Sequence, residues 1–484
     1  MTQAFRVLFC SGQLRGEAVA LSWLDRLWSS IADRGNAWVS IPDATPLEQA
    51  QRLAGELLSG RGEASGAALA RELLGRYRLL SDDDRRAFQR YLAENFAPPK
   101  EALFQAAQAY LQDQTPEAAM HLAEIAEPPR QELLRRINMG PGGTQVLVEM
   151  RRELLRLVRG EPALKPLEQD LRHLLGSWFN RGFLELRRID WDSPAAVLEK
   201  LITYEAVHEI KGWDDLHRRL QRDRRCFGFF HPALPGEPLI FVEVALVEGI
   251  ADKVQPLLSQ SVAEAAGTRA DTAIFYSISN CQEGLRGISF GNFLIKQVVE
   301  ELRAELPGLR RFATLSPVPG FRRWLEARLA EGKEAENGAG DATALAELLA
   351  QPDWVDNPET AEALRAPLLR LCATYLTDDR GGAGPGDPVA RFHLGNGARL
   401  EQVNWLANPS PRGLRESYAI MVNYLYDPDT IESNHEAFVR QGAVAHSAAV
   451  AALRQRPAEG ARRPSLLAGL MSSRRPRPAP VTTS

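Results

Sequence analysis

Long apolar runs are missing from this chain. None of its 484 residues belongs to a stretch near the roughly 20 apolar residues that a bilayer-spanning helix needs. The opening MTQAFRVLFCSG is too short in apolar character for a secretory leader. Cysteine is scarce as well. Cys10, Cys226, Cys281 and Cys372 lie far apart with no CxxC pair, which argues against a disulfide framework or a cysteine zinc site and for reduced thiols. Cations are not in excess: 58 Lys and Arg stand against 62 Asp and Glu, a formal net charge of -4. Such a balance is ill suited to neutralising a phosphate backbone, so nucleic acid is not expected as a partner. A soluble, cytoplasmic protein with neither nucleic acid nor membrane among its partners is the expectation.

What is present has the composition of a globular protein, 44% apolar and 25% charged, and the length asks for more than one core. Residues 1–190 read as helical. Ser81 precedes Asp82-Asp83-Asp84, an N-cap followed by acidic residues at the positive end of a helix dipole. Thr115-Pro116-Glu117 repeats the device with Pro at the first helical position. After the Gly140–Gly143 break, Val146, Met150, Leu154 and Val158 recur every four residues and form an apolar stripe. No fixed repeat period is seen, and an antiparallel bundle without chemistry of its own is predicted. From 191 the texture changes. Ser193 is the expected cap of a helix over 194–204, and β-prone runs follow at 226–230, 239–246, 274–279, 312–315, 390–394, 403–407 and 417–426. An α/β domain is therefore placed at 191–455, with flexible insertions at 332–341 and 380–388. The Pro- and Arg-rich residues 456–484 have little to bury and read as a disordered tail.

Residues 273–324 carry most of the functional signal. The strand-like Ile274–Ser279 passes into a turn containing Gly284, Gly287 and Gly291. A helix follows with Leu294, Val298 or Val299, and Leu302 on one face, and then a second apolar run, Phe312–Leu315, ends at Ser316-Pro317. A strand, Gly-rich turn, helix and strand make a βαβ unit, and its turn directs backbone amides from a helix N-terminus at a phosphate. Ser316 precedes a proline, which holds it extended.

With these residues in view, the chain resembles the malonyl-CoA decarboxylase family. The likeness rests on HPALPGEPLIFVEVAL (231–246), IFYSISNCQEGLRGISFGNFLIKQVVEEL (274–302), LSPVPGFRRWL (315–325), FHLGNGARLEQVNWLAN (392–408) and MVNYLYD (421–427). It implies an N-terminal helical oligomerisation bundle followed by a catalytic α/β domain of the GNAT-like acyltransferase fold. It also implies malonyl-CoA as substrate, acetyl-CoA as product, no cofactor or metal, and a homo-oligomer, tetramer or dimer. The pyrophosphate loop of that fold falls on Arg286, Gly287, Ile288, Ser289, Phe290 and Gly291, followed by Asn292; Ser289 stands where the acyltransferase pattern has its first Gly. The resemblance makes His393 the proton donor and Ser316 its hydroxyl partner.

The implied chemistry suits these residue types. Malonyl thioester is already ionised, and loss of carbon dioxide leaves an electron pair that the thioester carbonyl accepts as an enolate. Donors at that oxygen contribute ~3 kcal/mol each, and a positioned acid about 10²–10⁴-fold in rate. The thioester is itself the electron sink. Other readings of the same residues stand beside this one: a Ser before Pro is often a strand terminator, and a lone His a core residue. His231 reads as a loop cap before it reads as an acid. Glu243 is expected to be paired or edge-facing before it is catalytic, and Cys281 to pack before it acts as a nucleophile. Asn404, Asn423 and Tyr424 suit a pocket wall or a core equally. Of Arg286, Lys296, Arg310, Arg311, Arg322 and Arg323, only Arg286 is assigned to phosphate. An acyltransferase with a second substrate and a non-catalytic acyl-CoA binder are the competing functions.

Overall fold

The computed structural model describes residues 44–59, 63–259, 269–288, 294–334, 339–378 and 385–455. These residues divide into two compact units, one ending at Ser177 and the other beginning at Trp178. The first holds the helices Pro46–Leu58, Glu63–Leu79, Asp82–Asn95, Lys100–Gln112, Pro116–Ala126, Pro129–Asn138, Gly143–Leu157 and Lys165–Trp178. The expected caps are in place: Ser81 Oγ accepts from Asp84 N at 3.2 Å, and Thr115 Oγ1 from Ala118 N at 3.3 Å. Val146, Met150 and Leu154 are buried along the stripe. Gly142 has φ 74°, and a Cβ at Gly143 would collide with the Ile137 carbonyl, so this break needs glycine. The helices Lys100–Gln112 and Pro116–Ala126 are different. They bury only Ala106 and expose Phe104, Leu111 and Met120.

The second unit is an eight-stranded mixed sheet with helices on both faces. Its strands are β1 (Glu185–Ile189), β2 (Arg224–Phe230), β3 (Pro238–Val247), β4 (Thr272–Asn280), β5 (Arg311–Thr314), β6 (Ser316–Pro317), β7 (Arg399–Asn404) and β8 (Met421–Leu425). The order is β1-β2-β3-β4-β5-β8-β6, with β7 also on β8. Strands β1 to β4 form an antiparallel meander, whereas β4 and β5 run parallel. Helix Leu294–Glu305 connects that parallel pair, which is the βαβ unit expected from the sequence. β3 is buried on both faces, as its continuous apolar run requires. Ile240, Val242, Val244 and Leu246 pack with Leu294, Val298, Leu302, Phe321 and Leu368, whereas Phe241 faces Val197, Leu201 and Leu216.

Several local expectations are corrected. Residues 390–394 are not a strand: Pro388–Gly395 is a helix. The Asp387 carboxylate caps it and Pro388 opens it, and these start signals outweigh the β-prone Phe392 and Leu394. Ser193 does not cap the helix Ala195–Tyr204; its hydroxyl accepts from Asp190 N instead. Strand β7 ends at Asn404, and Leu406 turns at φ 47°. Residues 417–426 begin as the end of helix Pro411–Ser417, pass through Tyr418 and Ala419 at positive φ, and become strand only at Met421. The insertion expected at 332–341 is partly helix, at the end of Phe321–Glu334 and the start of Ala339–Leu349. The tail from 456 lies outside the described residues.

Candidate active site

The parallel pair β4/β5 is the geometric centre of the site. Its register runs from Thr272 opposite Arg311 to Phe275 opposite Thr314, with one further bond from Leu315 N to Phe275 O. Beyond that point the chain after β5 turns to β8, where Ser316 pairs with Val422 and Pro317 with Met421. β4 continues to Asn280 paired with β3 alone among the described residues. The sheet therefore opens between β4 and the 315–317 segment. Because the two strands are parallel, the turn after β4 and Ser316 after β5 leave from the same end of the sheet. That carboxyl end is where open α/β sheets hold ligands.

Ser316 and His393, 77 residues apart in sequence, meet there: Ser316 Oγ lies 3.1 Å from His393 Nε2. Ser316 Oγ also donates to Thr314 Oγ1 at 2.8 Å, and Thr314 Oγ1 accepts from Tyr424 N at 3.1 Å. On the far side of the imidazole, Nδ1 is 2.8 Å from the Tyr426 hydroxyl. With the Ser316 proton on Thr314, the network closes when Nε2 carries the imidazole hydrogen and Nδ1 accepts from Tyr426. This tautomer is inferred from the bonding pattern. The Tyr424 ring stacks on the imidazole with centroids 4.7 Å apart and planes at 23°. Burial pushes the His393 pKa down to about 3, away from the neutral range in which an exposed histidine titrates, so the ring is uncharged at pH 7. Burial likewise pushes the Tyr424 and Tyr426 hydroxyls well above their usual range.

At the turn, Arg286 and Gly287 are exposed and Ile288 is buried. Gly287 has φ 77°, in the left-handed region that glycine enters without penalty. Ser289, Phe290, Gly291 and Asn292 lie outside the described residues. Of the other cations near this segment, Arg311 pairs with Asp271 and Arg322 with Glu326.

The remaining candidates separate by their partners. His231 Nδ1 accepts from Ala233 N at 3.1 Å, a loop-capping bond. Glu243 is buried and paired with Arg219 at 2.6 Å. Asn423 donates to Thr314 O at 2.7 Å and accepts from Asn404 at 2.6 Å, so both amides brace the strand below Ser316. Cys281 is buried among Phe230, Phe241 and Leu201, and burial raises its thiol pKa. Sequence reasoning missed Thr314 and Tyr426. Thr314 was discoverable as the residue two before Ser316, on the same face of an extended segment. Tyr426 becomes a partner only through the sheet pairing of β8, for which local sequence holds no signal. Among the described residues no group of three or more His, Cys, Asp or Glu is placed to hold a metal. No helix among them is long and apolar enough to cross a membrane.

Fold and site together define a two-unit protein, one unit helical and the other mixed α/β, with a Ser–His pair at the open end of its sheet. The family profiles "Malonyl-CoA decarboxylase C-terminal domain" and "Malonyl-CoA decarboxylase N-terminal domain" match residues 182–463 and 96–179. The chain belongs to the malonyl-CoA decarboxylase family. It is 40% identical over 321 residues to "Malonyl-CoA decarboxylase, mitochondrial" of Anser anser anser, 62% of this chain and 64% of that protein. The corresponding protein of Rattus norvegicus is 39% identical over 318 residues, 61% of this chain and 64% of its own length. The match thus spans a little under two thirds of these relatives. The crystal structures of malonyl-CoA decarboxylase from Rhodopseudomonas palustris and from Agrobacterium vitis are each 50% identical with a TM-score of 0.79. They cover 84% of this chain, and 99% and 100% of theirs.

Proposed function

We propose that the protein decarboxylates malonyl-CoA to acetyl-CoA and carbon dioxide, with Ser316 and His393 acting on the thioester. The observation that carries this reading is the 3.1 Å contact between Ser316 and His393 at the open end of the β4/β5 pair, the end of the sheet from which the Gly-rich turn also leaves. The turn and the N-terminal end of helix Leu294–Glu305 hold the coenzyme phosphates, with Arg286 as the cation. The pantetheine arm then enters the opening next to β4, and the malonyl group reaches Ser316. Ser316 orients the carboxylate out of the carbonyl plane. Carbon dioxide leaves with cleavage of the carbon–carbon bond, and the electron pair passes to the thioester oxygen as an enolate. The alpha carbon then takes a proton from the His393–Ser316 network. His393 is neutral, so a proton leaving Nε2 is matched by one shifting to Nδ1 from the Tyr426 hydroxyl, which takes one from solvent in the same relay, so that no phenolate is left in a site where burial disfavours it. No charged imidazole is needed in this buried site.

The helical unit supplies assembly in this reading. Leu111 and Met120 are 74% and 65% exposed on a helical hairpin, and a second copy of the chain covers them in a homodimer or homotetramer. The function is tested by incubating the purified chain with malonyl-CoA alone and following acetyl-CoA and carbon dioxide. Turnover without acceptor or added metal supports the decarboxylase. Turnover that requires an amine or thiol acceptor replaces it with an acyltransferase, and thioester binding without turnover in either assay leaves only a binding protein.

A further inference from the structure

The Ser–His contact joins two segments distant in sequence, and each side is short. Ser316 belongs to a two-residue strand, and His393 to a helix of eight residues. Asp387 touches both. Its Oδ1 accepts from Val389 N at 2.9 Å and Ala390 N at 3.1 Å, capping the helix that bears His393. Its Oδ2 accepts from Gly320 N at 3.1 Å, in the turn that follows Ser316 through Pro317-Val318-Pro319. Two prolines stiffen the connection between Ser316 and Gly320. On the other arm, Asp387 is six residues before His393 on a regular helix. The Tyr375 hydroxyl approaches the same Oδ2 at 3.5 Å.

The carboxylate is fully buried, and no Lys, Arg or His pairs with it among the described residues. All of its hydrogen-bond donors are neutral. A helix cap alone does not need this arrangement, since caps work as well at the surface and with an uncharged side chain. Gly320 fits the same reading: a Cβ there would collide with the Tyr375 hydroxyl and come within 3.3 Å of Asp387 Oδ2.

We propose that Asp387 is a positioning residue for catalysis, a tether whose two oxygens hold the Ser316 turn and the His393 helix at hydrogen-bonding distance. The inference rests on the Ser316–His393 reading of the site. Asp387 touches neither substrate nor reacting atoms, and acts by fixing the separation of the two groups that do.

Asp387→Asn separates tether from cap. Asn caps a helix as well as Asp through its carbonyl oxygen, but its amide NH2 then faces the Gly320 N–H, donor against donor. The expected result is a folded protein with the parental oligomeric state and a KM for malonyl-CoA within about twofold of parent. Its kcat falls roughly ten- to a hundredfold, the cost of a small misplacement of catalytic groups. Gly320→Ala, which leaves cap and carboxylate in place, should show the same split. Parental kcat in folded Asp387→Asn overturns the proposal, as does an equal fractional loss of activity and of folded protein. If Asp387→Asn does not fold, Gly320→Ala decides in the same two ways. Ser316→Ala, measured alongside, separates the failures. If it loses turnover while the tether variants do not, only the tether falls. If it too retains parental turnover, the Ser–His reading falls and takes the tether with it.

Discussion

His393 shows how far burial can change the chemistry of one residue. The sequence suggests an imidazole that titrates near neutrality, and the ring instead sits beneath Tyr424 with both nitrogens hydrogen-bonded to neutral hydroxyls. Its pKa is pushed down to about 3, below the ordinary 6.5. The sign follows directly. Above about pH 6.5 the ring is neutral folded or unfolded; as pH falls, the unfolded chain takes a proton that the folded one refuses until about 3, so stability is lost over that interval. His208, buried and pushed down to about 3 by desolvation and then by Arg219 and Arg412, acts in the same direction. In the ligand-free protein, the His393 resonances should show no titration between about pH 5 and 8. A midpoint near 6.5 by NMR would mean that the ring is hydrated and the relay through Tyr426 unnecessary. The sequence marked Ser316 and His393 through LSPVPGF and FHLGNG. It did not mark Tyr426, because that contact exists only once β8 lies beside β5 and β6.

Among the elements, β3 and the turn after β4 are the most constrained. β3 buries Glu243 in an otherwise apolar strand, and Arg219 of helix Trp213–Arg219 meets it at 2.6 Å. Burial pushes the Glu243 carboxyl up to about 7 against the pull of Arg219. Arg219→Ala leaves a buried acid unpaired and is expected to destabilise the protein by ~3–5 kcal/mol in urea unfolding. A loss under about 1 kcal/mol would show that water already reaches Glu243. The turn carries a different kind of constraint. Gly287→Val forces a β-branched residue to φ 77°, costing roughly 1–2 kcal/mol. It should weaken acetyl-CoA binding by calorimetry while the thermal melt stays cooperative, and unchanged affinity would remove this turn from the phosphate site. Element types were legible where periodicity and caps agreed, as at Ser81, Thr115 and helix Leu294–Glu305. They were misread at 390–394, where β-prone side chains stand in a helix started by Asp387 and Pro388.

At the scale of the whole molecule, the boundary expected at 190 falls after strand β1 and after the division between Ser177 and Trp178, although the order of a helical half before a mixed α/β half was evident from the change in texture. The pairing order of the sheet was not, because β6 and β8 are too short to identify by alternation. The exposed Leu111 and Met120 lead to an assembly prediction: the intact chain sediments as a dimer or tetramer at micromolar concentration, and Leu111→Glu with Met120→Glu lowers that state without unfolding the helices. A monomeric parent would contradict it. The central claim, that Ser316 and His393 act as one unit on malonyl-CoA, is tested most directly by a double-mutant cycle on the intact chain. Turnover is measured for the parent, Ser316→Ala, His393→Asn and the double variant. Each single change should remove most of kcat, roughly a hundredfold or more, and the double change little beyond the worse single one. Multiplying losses, or near-parental turnover in folded His393→Asn, would contradict it.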